Sequence, residues 1–287
     1  MAITASMVKE LRDRTGLGMM ECKKALNESE GNIETAIEEL RKSSGMKAAK
    51  KAGRTAAEGV VAIKISDDKK FGVLLEVNSE TDFVARDDNF LSFVGNVLDF
   101  IFENKSCDES LFKADVIETN REALVQKIGE NISIRRAQII SGENIGGYVH
   151  GNNKIAALVS LSSGSQLVAK DIAMHVAAVN PQVIKPEDMS SEIIEKEKTI
   201  YVAQARDSGK PDEIVKKMVD GRVRKFLSEN SLTEQHFVKD PDIKVSELLS
   251  GESAVINSFI RYEVGEGIEK DDVDFAAEVA AQVKQST

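Results

Sequence analysis

Apolar residues fall in two periods along the chain. Residues 1–54 repeat at helical spacing and the following stretch repeats every second residue. In the first segment Val8 and Leu11 mark one helix. Met19, Cys22, Ala25 and Leu26 mark a second, and Ile33, Ala36, Ile37 and Leu40 a third. Gly16-Leu17-Gly18 separates the first two. Gly31-Asn32 separates the next, with Gly31 suited to end a helix and Asn32 to cap one. Lys47–Arg54 reads as a basic linker helix. From Gly59, Val61, Ile63 and Ile65 alternate. Asp67-Asp68-Lys69-Lys70 turns the chain, and Phe71, Val73, Leu75 and Val77 alternate back. This predicts a β-hairpin with one buried face. Phe90, Val94, Leu98 and Ile101 then share a helical face, and a second helix around Ala123–Ile128 leads to a strand near Ile132–Ile140.

A weaker copy follows. Gly147–His150, the turn Gly151-Asn152-Asn153 and the alternating Ile155, Ala157, Val159 and Leu161 predict a second hairpin, and Val168, Ile172 and Val176 a helix behind it. Ile193, Ile200 and Ala203, then Ile214, Met218 and Phe226, stripe two charged helices that read as a protruding helical hairpin. A strand near Phe259–Val264 and a last helix over Val273–Lys284 complete an α+β chain. The divisions expected are a three-helix module at 1–54, one core subdomain at 55–140 and another at 141–264. The second carries the hairpin 187–228, and a helical module at 265–287 follows.

Composition narrows what such a chain can do. It has 287 residues with net charge −10, and residues 1–54 carry a surplus of three positive charges. An acidic chain is a poor general ligand for nucleic acid or anionic lipid. No apolar run reaches the roughly 18 residues of a membrane span. The two cysteines, Cys22 and Cys107, lie far apart and form no metal spacing, which suggests a reducing, cytoplasmic setting. The histidines, His150, His175 and His236, sit in no zinc-binding helix motif, and His175 lies in a helix run that favours a packed side chain. No phosphate loop, nucleophile elbow or dinucleotide fingerprint is present. The pairs Asp67-Asp68, Asp87-Asp88 and Asp271-Asp272 fall in turns and helix starts, where caps explain them. Neither a cofactor nor a metal is expected.

The most informative stretch is Glu76-Val-Asn-Ser-Glu-Thr81-Asp82-Phe83-Val84-Ala85-Arg86, which starts where a strand ends and stops where a helix begins. On its residues alone two readings stand. Thr81 or Asp82 caps a helical turn while Phe83 fills the core, or the loop tip holds an aromatic and a carboxylate for another protein. The stretch resembles one signature of the elongation factor Ts family, and Leu11-Arg12-Asp-Arg-Thr15-Gly16-Leu-Gly18-Met-Met-Glu-Cys-Lys23-Lys24-Ala25-Leu26 resembles another. Lys127–Ile132, Ile172–Ala177, Phe259–Gly267 and Asp274–Ala280 are similar to further stretches of that family.

The resemblance implies a ubiquitin-associated-like N-terminal module, two core subdomains and a coiled-coil excursion at 187–228. It also implies guanine-nucleotide exchange on elongation factor Tu, with loss of GDP and Mg²⁺ and no chemistry on a substrate. The partner-binding residues it implies are Asp82 and Phe83 with Thr81 and Val84, then Met19, Met20 and Lys23, Ile128 and Gly129, His150, and Phe275 and Val279 of the last helix. Direct binding of nucleic acid or membrane is not implied. A protein-interaction scaffold without exchange activity is the alternative of a different class.

Overall fold

The computed structural model describes residues 2–206 and 211–269. Helices α1 (Ala5–Thr15), α2 (Met19–Glu28) and α3 (Ile33–Lys51) open the chain. Thr4 caps α1 through the Met7 N–H, and Asn32 caps α3 through the Thr35 N–H. Their core is small: Leu11, Leu17, Cys22, Ala25, Leu26, Ala36 and Leu40 are buried together. Met19 departs from its predicted stripe. It stands on the first turn of α2, exposed, because Cys22, Ala25 and Leu26 already fill the seam. The basic segment from Lys47 is no separate linker helix. It prolongs α3, whose Ala48 enters the next core.

Strands β1 (Glu58–Ile65) and β2 (Phe71–Ser79) form the first hairpin. Helices α4 (Asp88–Asn104), α5 (Glu109–Phe112) and α6 (Asp115–Ile128) follow, then β3 (Ile132–Ser141), antiparallel to β2. Strands β4 (Asn144–Val149) and β5 (Ile155–Ser163) form the second hairpin, backed by α7 (Gln166–Val179). Helices α8 (Ser191–Arg206) and α9 (Asp212–Asn230) pack along each other through Ala205, Val215 and Val219. The chain then makes β6 (His236–Phe237), β7 (Asp240–Lys244) and α10 (Val245–Gly251), and β8 (Val255–Glu263) joins the edge of β5. The short elements between α9 and β8 have no counterpart in the periodicity, being too brief to show one.

The expected one-sided burial of the first hairpin is wrong. Val73 and Leu75 pack with α4 and α6, while Val61 and Leu74 pack against Ile145, Ala156 and Leu158 of the other sheet. The two antiparallel sheets, β1-β2-β3 and β4-β5-β8, thus lie face to face with helices on both outer sides. Consecutive apolar residues, Val60-Val61 and Val73-Leu74-Leu75, are what such double cover requires.

His175 is buried, as a packed histidine. Its Nδ1 accepts the Val238 N–H at 3.2 Å, so Nε2 carries the proton towards Gln235 Oε1 at 2.9 Å. Burial pushes the imidazole below its ordinary value, only partly countered by Gln235. The link fixes the segment after α9 onto α7.

Candidate functional site

Strand β2 ends in the Glu76–Arg86 stretch. Glu76 is fully buried. Its Oε1 accepts the Gly265 N–H at 2.8 Å and Arg135 at 2.9 Å, and its Oε2 accepts Arg136 Nε at 2.6 Å. Neighbouring strand residues ordinarily point to opposite faces. Arg135 and Arg136 both reach Glu76 because the register slips there: Glu76 faces Arg136, Val77 faces Ile134, and Arg135 is left as a bulge. Burial alone would push the Glu76 carboxyl up. The Gly265 amide and the two guanidiniums outweigh it and hold the carboxyl below the usual range. Gly265 has φ 75°, and a Cβ there would stand 2.3 Å from the Ala57 carbonyl oxygen, so the exit of β8 needs glycine.

Beyond Ser79 the chain turns outward. Phe83 is 82% exposed, whereas the next two residues, Val84 and Ala85, are buried under a single 3₁₀ turn. Of the two readings of this loop, core filling by Phe83 is excluded. Val84 is the core plug instead, its side chain buried. Asp82 is half-exposed and pairs with Arg86 at 2.9 Å. Such an exposed i,i+4 pair is worth less than about 1 kcal/mol, so the carboxylate is readily redirected. Thr81 is spent internally: its N–H and hydroxyl both donate to the Glu130 carboxylate, at 3.0 and 2.7 Å.

Glu130 follows the turn that ends α6, where Gly129 takes φ 90° and its N–H caps the Val125 carbonyl. Ile128 is partly buried against the core. The N-terminal helices meet the same turn. Lys51 donates to the Gly129 carbonyl, and Glu21 accepts from Gln126 at 2.8 Å and from Lys47. Burial raises the Glu21 carboxyl, but those two partners bring it below its ordinary value. Met19 and Met20, 61% and 79% exposed, sit beside Glu21, and Lys23 is exposed on the same helix.

On the other side of the loop, Asp82, Arg86 and Leu91 share a cleft of about 410 Å³ with Gly151, Asn152, Asn153 and Lys154. The Asn153 carbonyl is tied to the Val61 N–H at 2.8 Å. His150 is exposed at the start of that turn, its Nδ1 3.0 Å from Asn152 Oδ1. The structure therefore brings the Phe83 loop beside both the α6–β3 turn and the His150 turn. Phe275 and Val279 lie outside the described residues. Sequence reading missed Glu80, Glu130 and Arg86, whose roles depend on partners distant in the chain or on the fold of the loop. Among the described residues no three His, Cys, Asp or Glu side chains gather as a metal site, and no helix is long and apolar enough to cross a membrane.

Comparison with known proteins agrees with the loop and turn motifs. The profile of a family described as "Elongation factor TS" matches residues 80–266. Elongation factor Ts of Hahella chejuensis is 65% identical over 283 residues, 99% of each chain. That of Marinobacter nauticus is 64% identical over 280 residues, covering 98% of this chain and 97% of its own. That of Teredinibacter turnerae is 61% identical over 289 residues, all of this chain and 99% of its own. With the profile spanning more than half of the chain and these relatives 98–100% of it, the protein belongs to the elongation factor Ts family, a family of translation elongation factors.

Proposed function

We propose that this protein is a guanine-nucleotide exchange factor that binds elongation factor Tu carrying GDP and promotes release of GDP and Mg²⁺ during elongation in the cytoplasm. It performs no chemistry on a substrate. A binder accelerates release only by favouring the partner's nucleotide-free shape over its loaded one, because the coupling is reciprocal. Moving such an equilibrium from 1:99 to 99:1 takes about 5.5 kcal/mol of differential binding. Burying one phenylalanine contributes about 1.5–3 kcal/mol. Several patches must then act together, and Phe83, the Met19–Met20 pair, Gly129 and the His150 turn supply them.

In this reading Phe83 enters a cleft of the GTPase near its Mg²⁺ site, and Asp82 leaves Arg86 to make polar contacts beside it. Once the cation is lost, the charge of the β-phosphate is less compensated and GDP departs. Met19 and Met20 adapt to the partner's surface. Phe275 and Val279 would add contacts from the end of the chain.

The observation that carries the proposal is the Phe83 ring, held in solvent while the two residues after it are buried. Release of a fluorescent GDP from elongation factor Tu tests it. Phe83→Ala should slow stimulated release about tenfold or more, the scale of losing 1.5–3 kcal/mol of ring burial. The variant should unfold like the parent, since the ring makes no core contact. Equal release rates for variant and parent would refute the wedge, and no stimulation by the parent would favour the scaffold reading.

A further inference from the structure

We infer that Glu130 is a positioning residue that holds the Phe83 loop in its projecting form. This inference rests on the exchange reading above and assigns the device that prepares its wedge. An exposed aromatic ring at a loop tip gains by folding back onto apolar surface. The loop prevents that through a reciprocal clasp with the α6–β3 turn. Glu130 reaches from the turn to the loop, accepting both the N–H and the hydroxyl of Thr81. Glu80 reaches the other way, accepting the Asn131 N–H at 2.5 Å. Two adjacent residues on each side are thus locked crosswise, two positions before the ring.

Within the loop, the Ser79 hydroxyl donates to the Thr81 carbonyl at 3.0 Å, and that carbonyl accepts the Ala85 N–H at 3.3 Å. Fixing Thr81 therefore fixes both ends of the segment that carries Phe83. The turn is anchored in its own right. The Asn131 side chain donates to the Arg54 carbonyl at 2.8 Å, and Lys51 donates to the Gly129 carbonyl. The clasp thereby refers the ring to the end of α3, the helix that also belongs to the N-terminal core carrying Met19 and Met20. Two separated apolar contacts are presented at a set spacing, so less ordering remains to be done on binding.

The chain contains no tryptophan, so Phe83→Trp places a single reporter at the tip. Adding Glu130→Ala to Phe83→Trp in the full-length protein should lower the indole anisotropy. Glu130→Gln, which keeps one acceptor, should restore part of it. An anisotropy unchanged by Glu130→Ala overturns the clasp. In fluorescent-GDP release from elongation factor Tu, Glu130→Ala should slow the maximal stimulated rate about tenfold, the scale of one charge-assisted hydrogen bond. In a Phe83→Ala background the same change should cost less than about twofold, since a positioning residue has nothing left to position. A full additional tenfold loss in that background overturns the inference, because Glu130 would then act by another route. Where Glu130→Ala does not fold, Thr81→Val removes the hydroxyl's bond to Glu130 together with its long 3.4 Å bond from the Val84 N–H, keeps the Thr81 N–H bond to Glu130, and is read by the same criteria. A parent that stimulates no release defeats the exchange reading, while the anisotropy still decides the clasp.

Discussion

Replacing Glu76 by glutamine changes one atom's chemistry and leaves the volume nearly the same. The amide oxygen can still serve the Gly265 N–H, Arg135 and the Asn78 side-chain amide, the donors that now meet Oε1. The new amide nitrogen then faces Arg136 Nε at the 2.6 Å now spanned by a charge-assisted bond, two donors in contact. Turning the amide over brings its nitrogen against the other three donors instead. Arg135 loses its counter-charge in either case, and Arg136 is left with Glu266 alone, at 3.1 Å. Breaking a buried ion pair from one side costs about 3–5 kcal/mol. Arg135 and Arg136 keep 24% and 29% of their side-chain surface, so water reaches them and the lower end applies, about 3 kcal/mol. Thermal unfolding should then shift down by roughly 6–10 °C. Arg136 also lies over the Tyr262 ring at 4.0 Å, and burial pushes that phenol up to about 12. A double cycle with Arg136→Met should therefore show coupling of about 1 kcal/mol or more between positions 76 and 136. A Glu76→Gln loss below about 1 kcal/mol, or strict additivity with Arg136→Met, would refute the reasoning that this carboxylate needs its charge.

Two further outcomes are expected. Gly146→Ala would put a methyl 2.2 Å from the Ala169 carbonyl carbon, backbone that cannot step aside without moving α7 off β4, so denaturant unfolding should show a loss of about 2–3 kcal/mol. An unchanged midpoint would mean that the helix yields freely. His175, neutral in the fold and held below its ordinary pKa, binds a proton more readily once unfolded, so stability should fall as pH drops below about 6.5, before the carboxylates titrate. His175→Leu should lower stability at neutral pH but flatten its change between pH 6.5 and 5, as read from urea unfolding at several pH values; an unaltered slope would assign the titration elsewhere.

Much of the fold was legible because periodicity records which faces meet apolar surface. The strands of both hairpins and the stripes of α3, α4 and α7 follow that rule. The reading failed where a face meets two neighbours at once. Val61, Ile63 and Ile65 do alternate, yet Val60 is buried too, because the second sheet covers what an isolated hairpin would leave wet. The unbroken run Val73-Leu74-Leu75 is the trace of that double cover, overlaid on the alternation. Met19 failed for the opposite reason: its spacing from Cys22 fits the stripe, but a first-turn position leaves the seam. The segment after α9 holds its place through the His175–Gln235 bond, a contact across sixty residues that no local pattern carries.

The candidate site shows the same division more sharply. Its apolar tip was visible as residue types, while the geometry that makes the tip available was not. Composition allowed Phe83 to be core, as most phenylalanines are. What forbids it here is partly polar and remote, partly apolar and adjacent. Glu130 and Glu80 hold the loop across about fifty residues of sequence, and Val84 and Ala85 occupy the apolar space that the ring would otherwise take. A motif thus names the groups at the loop tip, and the polar contacts around it decide whether those groups face inward or out. In this chain Glu130 and Glu80 serve backbone N–H groups of the loop and of the facing turn, which is why an exposed aromatic can stand at the loop tip without collapsing onto the core.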